Sequence, residues 1–590
     1  MKVAGAVARF LAERGCRHVF TVSGGANLHL LDAISRTLIK TVCPLNEQAA
    51  SFAADAYARM DGLGCAISTA GPGASNLITG IATSYYDSVP TLYITGNQTR
   101  QRLGEGLGVR QYGFQAMPIV EMVKPVTKHA VTVMEPVDTV YELERALWIA
   151  RSGRPGPVLV DIPDDVQRAE VETFRRFTPP SSAEVNLSST AEMVAGMLKR
   201  ARRPLFVFGW GVHLAGAAEL ARSVVDMTDA PCVTTWGAQD VMAGNYNWAG
   251  SFGTSGVRAA NFAVQNADLI IAVGTRLDTK ATGMPASSFA PKAEIVMVDI
   301  DRAEIEKMGK IGRSVEFGVQ ADCRAFLKAL SKVVAGMSGA HEWKQWLARI
   351  GVWKLRYDPL LPEYRTQSGI NPYVFMDKLG RHLRHDDIVV TDTGCTLSWT
   401  MQGLKLSGQR LIHAFNQTPM GYGLPASIGA AFATGKRVIL LTGDGGLGVN
   451  VGELATVAKH RLPISIFLFD NEGHAMCRQT QRMWLDGRYC GTGGGDLATP
   501  SWSKIAAAHE GILTYFSEYV QHGGVDDVLA KAMRAQGPVF THLPISPEHG
   551  VAPQVRYGKP IECADPQLPE EEMREAMCDD FTYQADPLAA

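Results

Sequence analysis

Two polar clusters each close an apolar run in this chain. Gly443-Asp444-Gly445-Gly446 follows the run 437–442, and Asp470-Asn471-Glu472-Gly473 follows the run 463–469. If the runs are neighbouring parallel strands, their carboxyl ends bring the clusters together, where doubly wound sheets bind ligands. The residue types suit one divalent cation held against a diphosphate. Mg²⁺ takes near-octahedral oxygen ligation and usually combines one or two protein oxygens with phosphate oxygens. Asp444 supplies charge, and the Asn471 amide oxygen and a backbone carbonyl at Gly473 complete the protein's share. Gly445 and Gly446 let the backbone come close to the phosphate. A lone Gly-Asp-Gly is more often a tight turn after a strand. Here Asn471 stands 27 residues beyond Asp444, which turns the pair into a candidate cation site.

That spacing resembles the Gly-Asp-Gly plus Asn motif of thiamine diphosphate enzymes. Thiamine chemistry also needs a carboxylic acid beside the aminopyrimidine, and Glu47 is the candidate, at the entrance to a small-residue helix and followed by Gly71-Pro72-Gly73. An acid that shares a proton with the pyrimidine favours the imino form that deprotonates the thiazolium carbon. Alone, Glu47 would read as an ordinary helix-start acid favoured by the macrodipole. Its neighbours make the difference.

Over residues 1 to about 560 the chain resembles the catalytic subunit of acetohydroxyacid synthase and its thiamine diphosphate relatives. The resemblance rests on Val19–Gly25, Asn46-Glu47-Gln48, Gly71-Pro72-Gly73, Asp87–Pro90, Val123–His129, Gly153–Pro157, Met420–Pro425 and the metal motif. Within that superfamily it is similar to synthase-like proteins that act on nucleotide-linked ketosugars in surface-polysaccharide pathways. The pointers are Val109–Gln115, Arg478–Gln481 and Leu568–Met577.

Length and charge agree with a large enzyme. At 590 residues the chain has room for three or four domains and a substantial core. A net charge of −2, with no basic run, gives no reason to expect nucleic acid or an anionic membrane surface. The N-terminal residues read as neither a signal peptide nor a transit segment, and no stretch has transmembrane length, so a cytoplasmic location is expected. The ten cysteines lack metal or redox spacing and read as reduced thiols. Cys395 and Cys477 fall in segments expected to face the cofactor, yet a buried small hydrophobe is the more ordinary role for each.

Short apolar runs alternate with helix-period segments throughout, which predicts an α/β fold of three doubly wound parallel-sheet domains. The expected blocks are 1–175, a pyrimidine-binding domain carrying Glu47; 185–345, a central FAD- or nucleotide-type domain; and 365–550, a diphosphate-binding domain with the metal motif. A linker at Pro179-Pro180-Ser181-Ser182 separates the first two. A C-terminal tail, 551–590, is left open between a solvated helix and a flap over the active site.

The resemblance implies that each active site is shared between two chains, so a homodimer is the minimum unit and a homotetramer is expected. It places Pro72 beside the cofactor, Met420 under its bent form and Gly394-Cys395-Thr396 at a turn whose N–H groups face the diphosphate. In the middle block Gly253-Thr254, Gly274, Arg276, Asp278, Asp299 and Asp322 resemble flavin-binding segments, with Arg276 for phosphate and an acid for ribose hydroxyls. FAD would be structural there; an empty or differently filled vestigial domain is the competing reading. The implied donor is pyruvate, whose two-carbon remnant passes to a second carbonyl. Gln115 and Lys128 match polar positions near the carboligation pocket, and Gly24 and Gly25 could offer N–H groups to a developing alkoxide. Lys128 reads equally as a surface cation, and His29 and His474 more often as structural groups than as acceptor contacts.

Three departures bear on the acceptor. The Trp that sets ketoacid choice in acetohydroxyacid synthase is Thr480 here, the His before the catalytic acid is Asn46, and the acid expected after Phe114-Gln115 is Ala116. An open pocket for a larger ketone follows, giving a tertiary alcohol by acetyl addition to a nucleotide-linked ketosugar. Acetolactate formation from two pyruvates is the alternative, and a non-catalytic paralogue is a third reading that intact Glu47, Asp444 and Asn471 oppose.

Overall fold

The computed structural model describes all residues except 105, 182–184, 337–342, 494 and 578–590. Ser182 of the expected linker, Cys578 and the end of the tail therefore lie outside the described residues.

Three six-stranded parallel sheets follow one another along the chain. The first contains β1 (His18–Thr21), β2 (Lys40–Val42), β3 (Gly64–Ser68), β4 (Thr91–Asn97), β5 (His129–Thr132) and β6 (Val158–Pro163), in the order β2-β1-β3-β4-β6-β5. The second contains β7 (Pro204–Phe208), β8 (Cys232–Thr234), β9 (Trp248–Ser251), β10 (Leu269–Val273), β11 (Glu294–Asp299) and β12 (Phe317–Gln320), in the order β12-β11-β10-β7-β8-β9. The third contains β13 (Ile388–Thr391), β14 (Arg410–Ile412), β15 (Val438–Gly443), β16 (Ile464–Asp470), β17 (Leu513–Tyr515) and β18 (Val539–Pro544), in the order β14-β13-β15-β16-β18-β17. The inner strands are continuous apolar runs because helices cover both faces; β4, β10 and β15 are buried along almost their whole length.

The first and third sheets meet through one helix each. Helix Glu47–Asp61 starts at Asn46, whose Oδ1 accepts from the Gln48 N–H at 2.7 Å, and stops at Gly62, where φ is 82°. Its partner, Gly423–Thr434, is apolar or small on every side. A helix without a polar face has to be buried, and these two bury each other: Ala53 O lies where a Cβ on Gly429 would stand. Their side chains join the inner residues of both sheets into one core that includes Phe52, Tyr422, Ile428 and Leu440.

Buried charge fixes the domains to one another. Arg59 pairs with Asp55 and with Asp87, both at 2.7 Å, and donates to His413 O of the third domain. Arg410 of β14 meets Asp240 of the central domain at 2.6 Å, and His213 bonds the other oxygen of that carboxylate. The described part of the tail packs on the central domain: Asn261 Nδ2 donates to Ile561 O, Asn266 Nδ2 to Ala576 O, and Arg356 pairs with Glu572.

Candidate active site

The third sheet brings the two polar clusters together as its register requires. β15 and β16 pair with Gly443 opposite Phe469, so Asp444 and Asp470 leave the sheet side by side. Asp444 is buried, and its Oδ2 accepts from the Gly473 N–H at 2.7 Å. Glu472 turns the chain between them at a φ of 55°, held by its N–H donating to Asp470 Oδ1 at 3.1 Å. Asn471 is buried, and its Oδ1 has no partner. A buried amide oxygen left unbonded is costly, and a cation beside Asp444 would satisfy it. The donor set, one carboxylate, one amide oxygen and a backbone carbonyl at Gly473, is all oxygen and suits Mg²⁺.

Burial and the adjacent Asp470 carboxylate raise the Asp444 carboxyl well above the usual range. Burial works the same way on Asp470, but hydrogen bonds from His542 and the Glu472 N–H hold it below its ordinary value.

Around this centre the predicted cofactor residues form a cradle. A Cβ on Gly445 would stand 2.8 Å from His474 Cδ2 and 3.0 Å from Met420 Cε, so both side chains lean over the same glycine. A Cβ on Gly446 would stand 2.7 Å from Asp392 Oδ2. Asp392, which the sequence reading missed, is fully buried and ties β13 to the loop: it accepts from the Thr393 and Gly423 N–H groups and from Thr442 Oγ1. Burial pushes its carboxyl up to about 6. Its signal was visible, an acid at the end of a buried strand just before Gly394. That glycine, at φ 83°, opens helix Cys395–Gly403 and leaves the N–H groups of its first turn, Cys395 and Thr396 among them, without intrahelical partners. Burial pushes the Cys395 thiol up to about 12, so it is no nucleophile.

The first domain carries the acid. Glu47 is buried at the start of its helix, and its Oε2 accepts from Asn76 Nδ2 at 3.0 Å. Gly73 sits against Oε1, and Pro72 opens the helix that carries Asn76. Gly71, at φ 60°, backs on Gln115, itself left-handed at φ 62°. The third domain of the same chain grips this helix start: Glu453 Oε1 accepts from the Leu45 N–H at 2.8 Å, and Asn450 Nδ2 reaches both Gln48 and Gly421 O. Among the described residues no hydrogen bond joins Glu47 to Met420, Asp444 or Asn471.

Gly25 and Gln115 line a polar cavity with Asn97, Gln98, Arg102 and Asp164. The Gly24 N–H is taken by Asn27 Oδ1 at 2.9 Å, which leaves Gly25 as the member of the pair in the cavity wall. Lys128 points elsewhere: its Nζ donates to Ile149 O and Ser152 O at the end of helix Thr139–Arg151, and burial draws it down to about 8. His29 faces Asp164 at 3.5 Å.

A second cavity lies across the carboxyl ends of the central strands, lined by Trp210, Gly211, Gly274, Arg276, Asp278, Asp299 and Asp322. The strand order reverses between β7 and β10, the place where such sheets receive dinucleotides. Gly211 and Gly274 touch, since a Cβ on either would fall within 2.9 Å of the other's Cα, and this leaves a bare backbone floor. Arg276 pairs with Asp278 at 3.1 Å and reaches Asn416 of the third domain at 2.7 Å. Gly253 and Thr254 pack behind Lys280 and Ala281, which line the cavity together with the neighbouring Phe252.

Comparison with known proteins decides the family. Residues 1–122 match the N-terminal TPP binding domain of thiamine pyrophosphate enzymes, 191–330 their central domain and 392–543 their C-terminal TPP binding domain. The chain belongs to the thiamine pyrophosphate enzymes. It is similar to an acetolactate synthase large subunit of Porphyra purpurea, 32% identical over 93% of this chain and 92% of that one. It is as similar to the large subunit of acetolactate synthase isozyme 2 of Escherichia coli (strain K12), 32% identical over 94% of this chain and 97% of the relative. The matched N- and C-terminal domains are the two that carry Glu47 and Asp444. The protein is thus a thiamine pyrophosphate-dependent enzyme, and among the described residues no helix is long and apolar enough to cross a membrane.

Proposed function

We propose that the protein is a carboligase of the acetolactate synthase kind, which decarboxylates pyruvate and joins the remaining two-carbon unit to the carbonyl carbon of a second pyruvate. One carbon–carbon bond breaks to release CO₂, one forms, and the new alkoxide takes up a proton to give acetolactate. The observation that carries this reading is the unbonded Asn471 Oδ1 beside buried Asp444, in a chain that aligns with acetolactate synthase large subunits along nearly all its length.

Thiamine diphosphate would supply a nucleophilic carbon and an electron sink for decarboxylation. Asp444, Asn471 and the Gly473 carbonyl would hold a Mg²⁺ ion, the first turn after Gly394 would receive phosphate oxygens, and Met420 would support the cofactor from below. Glu47, buried and oriented by Asn76, would hold and return the proton that activates the aminopyrimidine. Gly25 and Gln115 would bound the acceptor, with His474 at its edge. As the resemblance to thiamine diphosphate enzymes implies, the complete site would join Glu47 of one chain to Asp444 of another, a homodimer at minimum. FAD would occupy the central cavity as a structural group, its phosphates over the Gly211–Gly274 floor beside Arg276.

A second reading keeps the donor and changes the acceptor to a larger ketone, such as a nucleotide-linked ketosugar. It is favoured by the amide and charged side chains around Gly25 and by Thr480 at the place of the selecting Trp. Incubation of the protein with pyruvate, Mg²⁺ and thiamine diphosphate, with and without a sugar-derived ketone, separates the two by product mass. Acetolactate alone supports the first and an acetylated ketone the second. No CO₂ release under any condition would remove both.

A further inference from the structure

Asp470 stands between Asp444 and a hydrogen-bond chain that the motif does not require. Its Oδ2 meets His542 Nε2 at 2.7 Å, and Nδ1 of the same ring meets Ser503 Oγ at 2.8 Å. A hydroxyl donating to Nδ1 leaves the ring proton on Nε2, so the imidazole donates to the carboxylate. The register makes this alignment unavoidable. His542 lies opposite Leu468 in the β16–β18 pair, and Leu468 and Asp470 share a face of the sheet. Asp470 and His542 are 13% and 12% exposed and Ser503 is buried. The carboxylate is also fixed by the Glu472 N–H on Oδ1, and its backbone carbonyl accepts from the Ile545 N–H at 2.9 Å.

So rigid a carboxylate does more than join two strands, because it also holds the turn that leads to Asp444: its Oδ1 takes the Glu472 N–H, and the next N–H, that of Gly473, is bonded to Asp444 Oδ2. The register also brings Asp444 and Asp470 out of neighbouring strand ends, and two carboxylates brought together away from water favour a proton or a cation between them. The unbonded, buried Asn471 Oδ1 belongs to the next residue.

We infer that Asp470, aligned by His542 and Ser503, is a positioning residue for the divalent cation: it backs Asp444 with a second negative charge and sets how tightly the site holds a metal. The inference rests on the reading that Asp444, Asn471 and the Gly473 carbonyl hold a divalent cation. Under that reading Glu472 and Gly473 are placed by Asp470, so its loss disturbs the carbonyl ligand as well as the charge.

Mn²⁺ titration of the full-length protein, followed by the electron paramagnetic resonance of the free ion at saturating thiamine diphosphate, tests this without reading activity. Asp470→Asn should weaken Mn²⁺ by about 10- to 100-fold, the usual cost of losing a partner that orients a metal ligand. His542→Gln should weaken it in the same direction by less, with the metal-free melting temperature recorded for both. A Kd within about twofold of wild type for a folded Asp470→Asn protein would overturn the inference and leave the cation site standing. If Asp470→Asn does not fold, His542→Gln decides: unchanged Mn²⁺ affinity with a lowered melting temperature would reduce the chain to a strand clamp. Wild-type protein that binds no Mn²⁺ even with thiamine diphosphate would overturn the cation reading itself, and this inference with it.

Discussion

The first and third domains have the same strand order, and each contributes the helix after its second strand to a shared core. They differ at the strand ends. After the second strand, the first domain presents Asn46 and Glu47, whereas the third presents Met420 and Gly421. After the third strand, the first has Gly71-Pro72-Gly73 with no charge, whereas the third has Gly443-Asp444-Gly445. Apolar strands fix the scaffold, so the loops at their ends can change without disturbing it. Under the proposed reading, one copy of the scaffold would carry an acid for proton transfer and the other a cradle for a cation and an anion. The central sheet is ordered differently, and its strand ends make a cavity of their own.

The sharpest way to separate the two copies is to disable one loop in each. Glu47→Gln should lower pyruvate turnover by about 10²- to 10⁴-fold, the range ascribed to a positioned acid–base group, while calorimetry shows thiamine diphosphate still bound. Asp444→Ala should also abolish turnover, but through binding: cofactor affinity at fixed Mg²⁺ should fall by at least about tenfold. If both variants lose binding equally, the division of labour between the domains is wrong. If wild type and Glu47→Gln show equal and negligible turnover, the chain is a binding subunit and not a catalyst; full turnover in both variants would remove Glu47 and Asp444 from the site.

The shared core gives the next test. Any side chain on Gly429 must overlap Ala53 O, a backbone atom that cannot rotate away. Gly429→Ala should therefore cost about 2 kcal/mol or more and lower the melting temperature. The equivalent change at Gly435, an exposed helix end with open space around its Cα, should be milder despite its φ of 68°. Equal effects would mean that the two domains do not rely on this helix pair.

The fold was legible in the sequence because strands covered on both faces appear as unbroken apolar runs, and β10, β15 and β16 are three of the clearest. The meeting of the two polar clusters was legible for a related reason: Asp444 and Asn471 each follow such a strand directly, so knowing the strands placed the residues. What escaped depended on pairings between distant segments. Asp392 ends a buried strand in plain view, but the bonds that Gly423 and Thr442 donate to it, like the place of His542 beside Asp470, appear only once distant segments are paired. The Gly24 N–H gave no hint that Asn27 would claim it. Gly253 and Thr254 were read beside the central cavity from the resemblance of Phe252-Gly253-Thr254 to a flavin-binding segment; Phe252 lines that cavity, and the other two stand behind Lys280 and Ala281 of its wall, a placement that only the packing shows.

The central sheet offers the smallest and most specific test, because its cavity holds an acid that is uncomfortable without a ligand. Burial above all raises the Asp299 carboxyl from 3.8 to about 6, against the Asp301 N–H that it accepts. Below about pH 4 the group is protonated whether the chain is folded or not, and wild type has its full stability. As the pH rises to 6 the unfolded chain ionises freely while the folded one keeps its proton, so stability is lost across that window and stays lost above it. Asp299→Asn retains an acceptor for the Asp301 N–H and removes the penalty. Flavin-free variant should then resist urea better than wild type above pH 6, by at most about 3 kcal/mol, with the gap closing toward pH 4. If ribose hydroxyls bond this carboxylate, added FAD should stabilise wild type more than the variant and narrow the gap at pH 8. A variant no more stable than wild type at pH 8 would mean that Asp299 is well solvated, and the central cavity would then offer no desolvated acid to a ligand's hydroxyls.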